Sequence, residues 1–248
     1  MAPREVIQAT HSRKIEAMQP PQVPAQRLVE LRAGSLVAQA VRDLIRPPFS
    51  WILLLDLLIY GASASVSQID DAVLFGALLL SVVSAYLQIA TIMAASSSRE
   101  LSADEWIKAA FRHRVFWRFA LTGLLAITVI LLGFLALIVG GLVIGSMLAL
   151  AQPASVQERA WPFQAMRSSV ALSAGNRVPI GIVFALLFIA PLAVLQTGAQ
   201  LRWDRDLGAA WIAIGAVGSI AGLVGVIALT HAYVALGGAR SERDPVDA

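Results

Sequence analysis

The sequence predicts an all-α polytopic membrane helix bundle, with about six transmembrane helices and three amphipathic cytoplasmic or interfacial helices. Hydrophobic residues make up 58% of the 248 residues and charged residues only 14%, whereas about a quarter of the residues in a soluble domain are charged. Four long stretches contain no Lys, Arg, Asp or Glu. They lie between Asp71 and Arg99, Arg118 and Glu158, Arg177 and Arg202, and Asp206 and Arg240.

These four stretches, together with the apolar stretch 49–66, whose only charged residue is Asp56, give the predicted spans, because about 20 apolar residues cross a hydrocarbon core of roughly 30 Å. The predicted spans are 49–66, 72–95, 119–138, 141–152, 178–199 and 208–237. Together they predict one membrane domain over 26–239. The polar, proline-containing segment 1–25 predicts a disordered N-terminal tail, and 240–248 a C-terminal tail.

The stretch 119–151 is too long for one span. At a rise of about 1.5 Å per residue it would measure about 50 Å, and fitting it into the bilayer needs more tilt than the usual range of about 0–40°. Paired glycines interrupt helices, so Gly140 and Gly141 predict a break with two short helices meeting in an apolar turn. A single long or re-entrant helix is the alternative.

The distribution of basic residues favours six spans with both termini in the cytoplasm. All but Arg202 and Arg205 of the 19 Lys and Arg residues then lie on the cytoplasmic side, as the positive-inside rule requires. Five spans would place the basic residues of 159–177 and of the C-terminal tail outside.

Three segments that precede apolar stretches have the spacing of amphipathic helices. In the best defined, Ser102 and Glu105 form a capping box, and Lys108 and Arg112 lie opposite the apolar face. The three apolar stripes are Ala103, Trp106, Ile107, Ala110 and Phe111; Val37, Val41, Leu44 and Ile45; and Phe163, Met166 and Val170.

Such helices lie in the membrane interface, with their basic sides toward anionic headgroups. Lys108, Arg112, Arg114 and Arg118 are therefore the predicted membrane-surface basic residues. Packing of these helices on the protein's own spans is the alternative.

Asp56 is the candidate intramembrane functional residue, because it lies near the middle of the first predicted span. An ionised Asp there costs about 2.5–3.5 kcal/mol on insertion scales, which favours a role in proton or cation transfer. A protonated Asp hydrogen-bonded to a serine, or a static packing contact, is the alternative. His231, near the cytoplasmic end of the last span, is predicted to be an interfacial hydrogen-bonding residue.

Two Gly-x-x-x-Gly pairs predict close helix packing. They are Gly141 with Gly145, and Gly218 with Gly222. Packing within the chain is expected, and contact with a second copy is the alternative.

The segment 158–177, ERAWPFQAMRSSVALSAGNR, resembles the segment after the fourth span in a bacterial family. That family includes the membrane domain of glycerophosphoryl diester phosphodiesterases and the YciC-like proteins. The resemblance implies a six-helix protein of the bacterial inner (plasma) membrane, without an assigned activity. The catalytic barrel of the enzyme branch would need about 250 residues outside the membrane, so its activity is not expected here.

The sequence predicts no enzyme, since it lacks the serine, paired-Asp and His-Glu-x-x-His motifs of intramembrane hydrolases. No cofactor, metal or nucleic acid is expected. The leading hypothesis is a scaffold or accessory subunit whose partners are anionic headgroups and a membrane protein or second copy. The alternative is a small transporter or lipid-handling protein that uses Asp56 and a kink at Pro191; a membrane enzyme with an unfamiliar site is a third.

Overall fold

A computed structural model describes residues 31–66, 73–97, 101–112, 115–189 and 208–238, and these residues form helices without any strand. The prediction of an all-α helix bundle is confirmed. The predicted tails 1–25 and 240–248 lie outside the described residues. The helices are α1 (Ala33–Leu44), α2 (Phe49–Val66), α3 (Val73–Ser96), α4 (Ala103–Arg112), α5 (Phe116–Ala136), α6 (Ile138–Leu148), α7 (Ala151–Gln157), α8 (Pro162–Ser173), α9 (Arg177–Phe184), continued by the π-helical turn Ala185–Ile189, and α10 (Gly208–Ala235).

Four helical segments of the described chain are long and apolar enough to cross a membrane. They are Leu79–Ser96, Phe116–Ala136, Val139–Gln157 and Gly215–Ala235. A fifth candidate is the pair Pro162–Ser173 and Arg177–Ile189, which is bent by 118°, and Phe49–Ile59 is a shorter apolar helix. The structure thus has four or five candidate spans, and the count of six stays a prediction.

Side-chain contacts join both termini of the bundle and its connecting loops at one end, here called the polar end. Asp43 pairs with His231, and the backbone N–H of Leu31 donates to Asn176. Other contacts there join Gln157 to Ser96, Arg118 to Arg159, and Tyr233 to Glu158. The chain therefore leaves this end and returns to it three times, between residues 49 and 96, 118 and 157, and 177 and 231.

The middle excursion is an antiparallel hairpin of α5 against α6 and α7. Gly133 lies against Ile144 near the turn, and Gly123 lies against Gln152 nearer the polar end. The helix breaks at Leu137, whose backbone is extended at φ −162 and ψ 134. The predicted break at Gly140–Gly141 is therefore displaced by a few residues.

The glycines of this hairpin serve as a contact surface, which explains the displacement. Gly140 and Gly141 lie inside α6. A Cβ on Gly133 would be 3.1 Å from Gly141 Cα, and one on Gly140 would be 3.2 Å from the Gly133 carbonyl oxygen. Because these residues lack side chains, the two backbones can approach closely, and the turn falls outside the contact.

A serine of α8 bridges the junction between α6 and α7. Pro153 has no N–H and its ring crowds the preceding turn, so the helix is interrupted at Ala149–Leu150. The Ser169 hydroxyl donates to the Met147 carbonyl oxygen at 2.6 Å and accepts the Leu150 N–H at 3.1 Å. Ser169 thereby replaces backbone hydrogen bonds that the interruption removes.

The buried faces of α1 and α8 differ from the predicted stripes. Helix α1 buries Leu36, Ala40 and Leu44, whereas Ile45 is 75% exposed. Helix α8 buries Pro162, Ala165, Ser169 and Ser173, whereas Phe163 is 72% exposed. In α8 the small side chains let the helix lie close to the bundle, and the bulky Phe163 remains on its outer face.

Helix α4 follows its predicted stripe more closely. Trp106 is fully buried with Ala109 and Ala110, and the Phe111 ring stacks on Tyr86 of α3 at 3.9 Å. This helix therefore packs on the protein's own spans, as in the alternative prediction.

The hairpin helix α5 is peripheral and α10 is central. Only 22% of the Phe116–Ala136 helix is buried, against 56% of Gly215–Ala235. Helix α10 accordingly supplies Ser219, His231 and Tyr233 to the contacts described next.

Candidate functional site

Asp56 lies where α2, α3 and α10 meet. The Ser84 hydroxyl of α3 donates to Asp56 Oδ1 at 3.2 Å, and Ser219 of α10 forms a second side-chain hydrogen bond with the carboxyl group. Asp56 itself is half-buried. One carboxyl group thus connects three helices through two hydroxyl groups.

The three helices around Asp56 carry no other Asp, Glu, Lys or Arg. Their one histidine is His231, which lies at the polar end, about 18 Å along α10 from Ser219 at 1.5 Å per residue. These helices therefore offer no Lys or Arg side chain to an ionised Asp56. Either a proton neutralises the carboxyl group, or a mobile cation pairs with the carboxylate. The arrangement can either hold an exchangeable proton or act as a static hydrogen-bonded link.

The predicted basic residues do not form one cluster. Lys108 Nζ lies 3.0 Å from Asp104 on the exposed face of α4, and Arg112 is exposed at the end of that helix. Arg118 lies at the start of α5, where it contacts the loop after α7. Arg114 is outside the described residues, as is Pro191.

The start of α4 has the predicted pairing of Ser102 with Glu105. The Ser102 N–H donates to Glu105 Oε2 at 2.9 Å, and its hydroxyl lies 2.5 Å from Asp104 Oδ1 and 2.7 Å from Glu105 Oε2. These hydrogen bonds lower the pKa of both carboxyl groups, and Lys108 further lowers the pKa of Asp104. Because one hydroxyl hydrogen serves both acids, the two shifts depend on a shared donor.

Arg118 is held at the junction of α5 with the loop before α8. Its guanidinium donates to the Arg159 carbonyl oxygen and lies 5.5 Å from the centre of the Trp161 ring. Arg159 has φ 48, in the left-handed region that residues other than glycine seldom adopt. The loop is therefore fixed in an unusual conformation beside a stacked arginine.

Glu158 is a polar-end residue for which the sequence indicated no specific contact. Its Oε1 accepts the Tyr233 hydroxyl at 2.7 Å, and its Oε2 accepts the Ser168 hydroxyl at 3.0 Å. Gly237, in the turn after α10, has φ 82, and Gly238 packs on the Tyr233 ring, where a Cβ would lie 2.6 Å from Cε2. The Gly-Gly pair after the last span is the sequence feature that could have predicted this turn. No sequence feature indicated that Tyr233 would bind Glu158.

His231 lies 2.8 Å from Asp43 and so links α10 to α1. Both side chains are mostly buried, at 17% and 20% exposure. The hydrogen-bonding role predicted for His231 agrees with this geometry, and its partner could not be read from the sequence.

The glycine pairs lie in different surroundings. A Cβ on Gly141 would overlap the Phe134 ring, and one on Gly145 would lie 2.9 Å from Phe184 Cδ1. A Cβ on Gly222 would meet no atom within 4 Å, and Gly218 is half-buried. The described chain therefore packs closely at the first pair and leaves Gly222 open.

Within the described residues, no group of three or more His, Asp or Glu side chains is placed to hold a metal ion. No family model, curated protein or solved structure matches this chain. The resemblance of segment 158–177 to the phosphodiesterase membrane-domain and YciC-like family therefore stays a prediction, and the candidate sites are interpreted from their own geometry.

Proposed function

We propose that the protein is a non-catalytic, multi-pass membrane protein that acts as a scaffold or accessory subunit. The observation that carries the proposal is the setting of α4, which is fixed on its inner side and charged on its outer side. Trp106 is fully buried, while Lys108 is 73% exposed. A helix held this firmly presents its charges in a defined geometry.

The charged face of α4 suits a protein partner. Asp104, Glu105, Lys108 and Arg112 are all exposed, and both signs of charge are present. Mixed charges select a partner by complementarity more than they raise its affinity. Two basic residues near the end of the helix and two acidic residues at its start also fix the direction in which a partner binds.

Photo-crosslinking in intact membranes tests this proposal. A photoreactive amino acid at Lys108 or Arg112 should give one discrete crosslinked protein product, and the same amino acid at Leu131, an exposed apolar position of α5, should not. Charge reversal with Lys108→Glu and Arg112→Glu should reduce co-purification at least about tenfold, or about 1.4 kcal/mol. A monomer in mild detergent with no crosslink at either position contradicts the proposal.

The second candidate function is proton-coupled transport or lipid handling at Asp56, and the lack of any Lys or Arg on the three helices around this carboxyl group favours it. The hydrogen bonds with Ser84 and Ser219 fit the static link equally well. A hydrophobic carbodiimide, which modifies protonated carboxyl groups in lipid, measures the protonation of Asp56. Labelling should fall as the pH rises if the proton exchanges, and Asp56→Asn should abolish it. Equal labelling at every pH, or no labelling, supports the static link.

The proposed location is the bacterial inner membrane with both termini in the cytoplasm. Because the chain has no cysteine, single substitutions Leu137→Cys, Arg167→Cys and Gly208→Cys can each be tested with a membrane-impermeant thiol reagent in intact cells. Six spans predict labelling at Leu137 and Gly208 and protection at Arg167. Labelling at Arg167 contradicts the orientation.

A further inference from the structure

We propose that a corner of the polar end binds the phosphate of an anionic phospholipid headgroup. This corner, called the Arg118 corner, consists of Trp117, Arg118, Arg159, Trp161 and Phe163. It is distinct from the charged face of α4, so the inference goes beyond the proposed scaffold function.

Arg118 has no carboxylate partner among the described residues. Its described contacts are the Arg159 carbonyl oxygen and the face of Trp161. The adjacent carboxylate, Glu158, accepts hydrogen bonds from Tyr233 and Ser168 instead. The positive charge of Arg118 is thus fixed in place and is not neutralised by a side chain of the described chain.

The position of Arg118 along α5 matches the level of the lipid phosphates. It is the last charged residue before the apolar stretch that ends at Glu158. Trp161 lies against its guanidinium group, Trp117 precedes it in the chain, and Phe163 follows two residues after Trp161. These three side chains are 59%, 71% and 72% exposed. Tryptophan side chains concentrate at the membrane–water interface, so these rings mark the boundary at which Arg118 lies.

The chemistry of the corner fits a phosphate group. A guanidinium group presents planar, paired N–H donors that match two phosphate oxygens. One direction is occupied by the Arg159 carbonyl oxygen, and the Trp161 ring restricts the orientation of the rest. Because no side chain of the described chain neutralises Arg118, its charge favours an anionic over a zwitterionic headgroup.

A lipid fits the corner better than a protein partner because of its surroundings. Helix α5 is the least buried of the four long apolar segments, so lipid can reach its first turn from the side. The neighbouring Trp117 and Trp161 side chains are exposed aromatic rings, and basic sites between membrane helices at the headgroup level bind anionic lipids.

Native mass spectrometry of the full chain tests the inference, with phosphatidylglycerol and phosphatidylcholine as probes. The wild type should retain phosphatidylglycerol preferentially, and Arg118→Gln should weaken this retention at least about tenfold. Arg112→Gln and Arg167→Gln remove exposed arginines elsewhere and should leave it within about twofold. An equal loss in all three variants indicates general electrostatic attraction and overturns the proposal, as does full retention in Arg118→Gln.

Two further variants separate binding from folding. Arg118→Lys keeps the charge but cannot make the paired contact, so retention should fall several-fold while the melting temperature in phosphatidylcholine stays near the wild-type value. Trp161→Leu removes the stacking surface and should weaken retention to a similar extent. Wild-type retention in both variants, or displacement of the lipid by inorganic phosphate, contradicts a headgroup site.

Discussion

Gly141 with Gly145 and Gly218 with Gly222 have the same spacing, yet the structure uses the two pairs differently. Gly141 lies under the Phe134 ring and Gly145 against Phe184, whereas a Cβ on Gly222 would meet no atom of the described residues within 4 Å. In α10 the closely packed glycine is Gly225, where a Cβ would lie 2.6 Å from Phe188 Cε2. The motif thus indicates that close packing is permitted, and the neighbouring helix decides where it occurs.

The difference follows from what faces each glycine. The first pair belongs to α6, which lies between α5 and α9 and receives an aromatic ring from each. Gly222 lies one turn from Ser219, on a central helix, but no large side chain of the described chain reaches it. Substitutions with alanine therefore separate the two pairs, because each adds the same single methyl group.

Gly141→Ala should have the largest effect. The added methyl overlaps the base of the Phe134 ring, which cannot move away without shifting α5, so we expect a loss of about 2–3 kcal/mol in unfolding free energy. Reversible unfolding in mixed micelles measures it. Phe134→Ala in the same chain should recover most of the loss; failure to do so would place the strain elsewhere.

Gly145→Ala and Gly225→Ala should have intermediate effects, of about 1–2 kcal/mol each. The methyl group meets the outer part of a phenylalanine ring in both cases, at Phe184 and at Phe188, and such a ring can move at less cost. The same unfolding assay applies. Effects equal to that of Gly141→Ala would show that the ring ends are as immobile as the ring base.

Gly222→Ala should be neutral or should stabilise the protein by up to about 1 kcal/mol, because alanine is the better helix former. A destabilisation comparable to that of Gly145→Ala would contradict the open space within the chain. If the monomer is unaffected but a detergent-resistant dimer is lost, Gly222 packs against a second copy.

The smallest effect on stability is expected at the start of α4, which belongs to neither glycine pair. This helix start is stabilised by exposed hydrogen bonds and not by buried side chains. The lowered pKa values of Asp104 and Glu105 mean that their contribution is fully present above the usual carboxyl pKa of about 4 and is lost as the pH falls through the lowered values. Amide hydrogen exchange at Ala103–Arg112, corrected for the intrinsic rate, should therefore become faster on acidification. Ser102→Ala should remove most of this pH dependence, and an unchanged dependence would contradict the shared donor.

The sequence predicted α4 well because its pattern is local. Ser102 and Glu105 are three residues apart, and Trp106, Ala109 and Ala110 share one face, so helical geometry alone brings them together. The hairpin turn was predicted nearly as well, since the apolar stretch 119–151 is too long to cross the bilayer once and therefore needs a break. The break lies at Leu137 and not at the predicted Gly140–Gly141.

The outward-facing Ile45, at the end of α1, and Phe163 of α8 are compatible with the interfacial position predicted for their apolar stripes, whereas the inner faces of these helices could not be predicted in the same way. In water a bulky apolar stripe turns inward, but beside lipid an outward-facing Phe163 carries no such penalty, and small residues such as Ala165 and Ser169 allow closer packing. Hydrophobicity therefore fails to identify the inner face of a helix at the membrane boundary.

By itself, the sequence determined the helical class, the approximate bounds of the apolar helices, the cap of α4 and the isolation of Asp56 from basic residues. Each depends on neighbours along the chain or on composition. Only the tertiary structure decided that Ser84 and Ser219 bind Asp56, that Tyr233 reaches Glu158 and that Arg118 stacks on Trp161. These contacts join residues far apart in the chain, and their geometry depends on how tightly each pair of helices can approach.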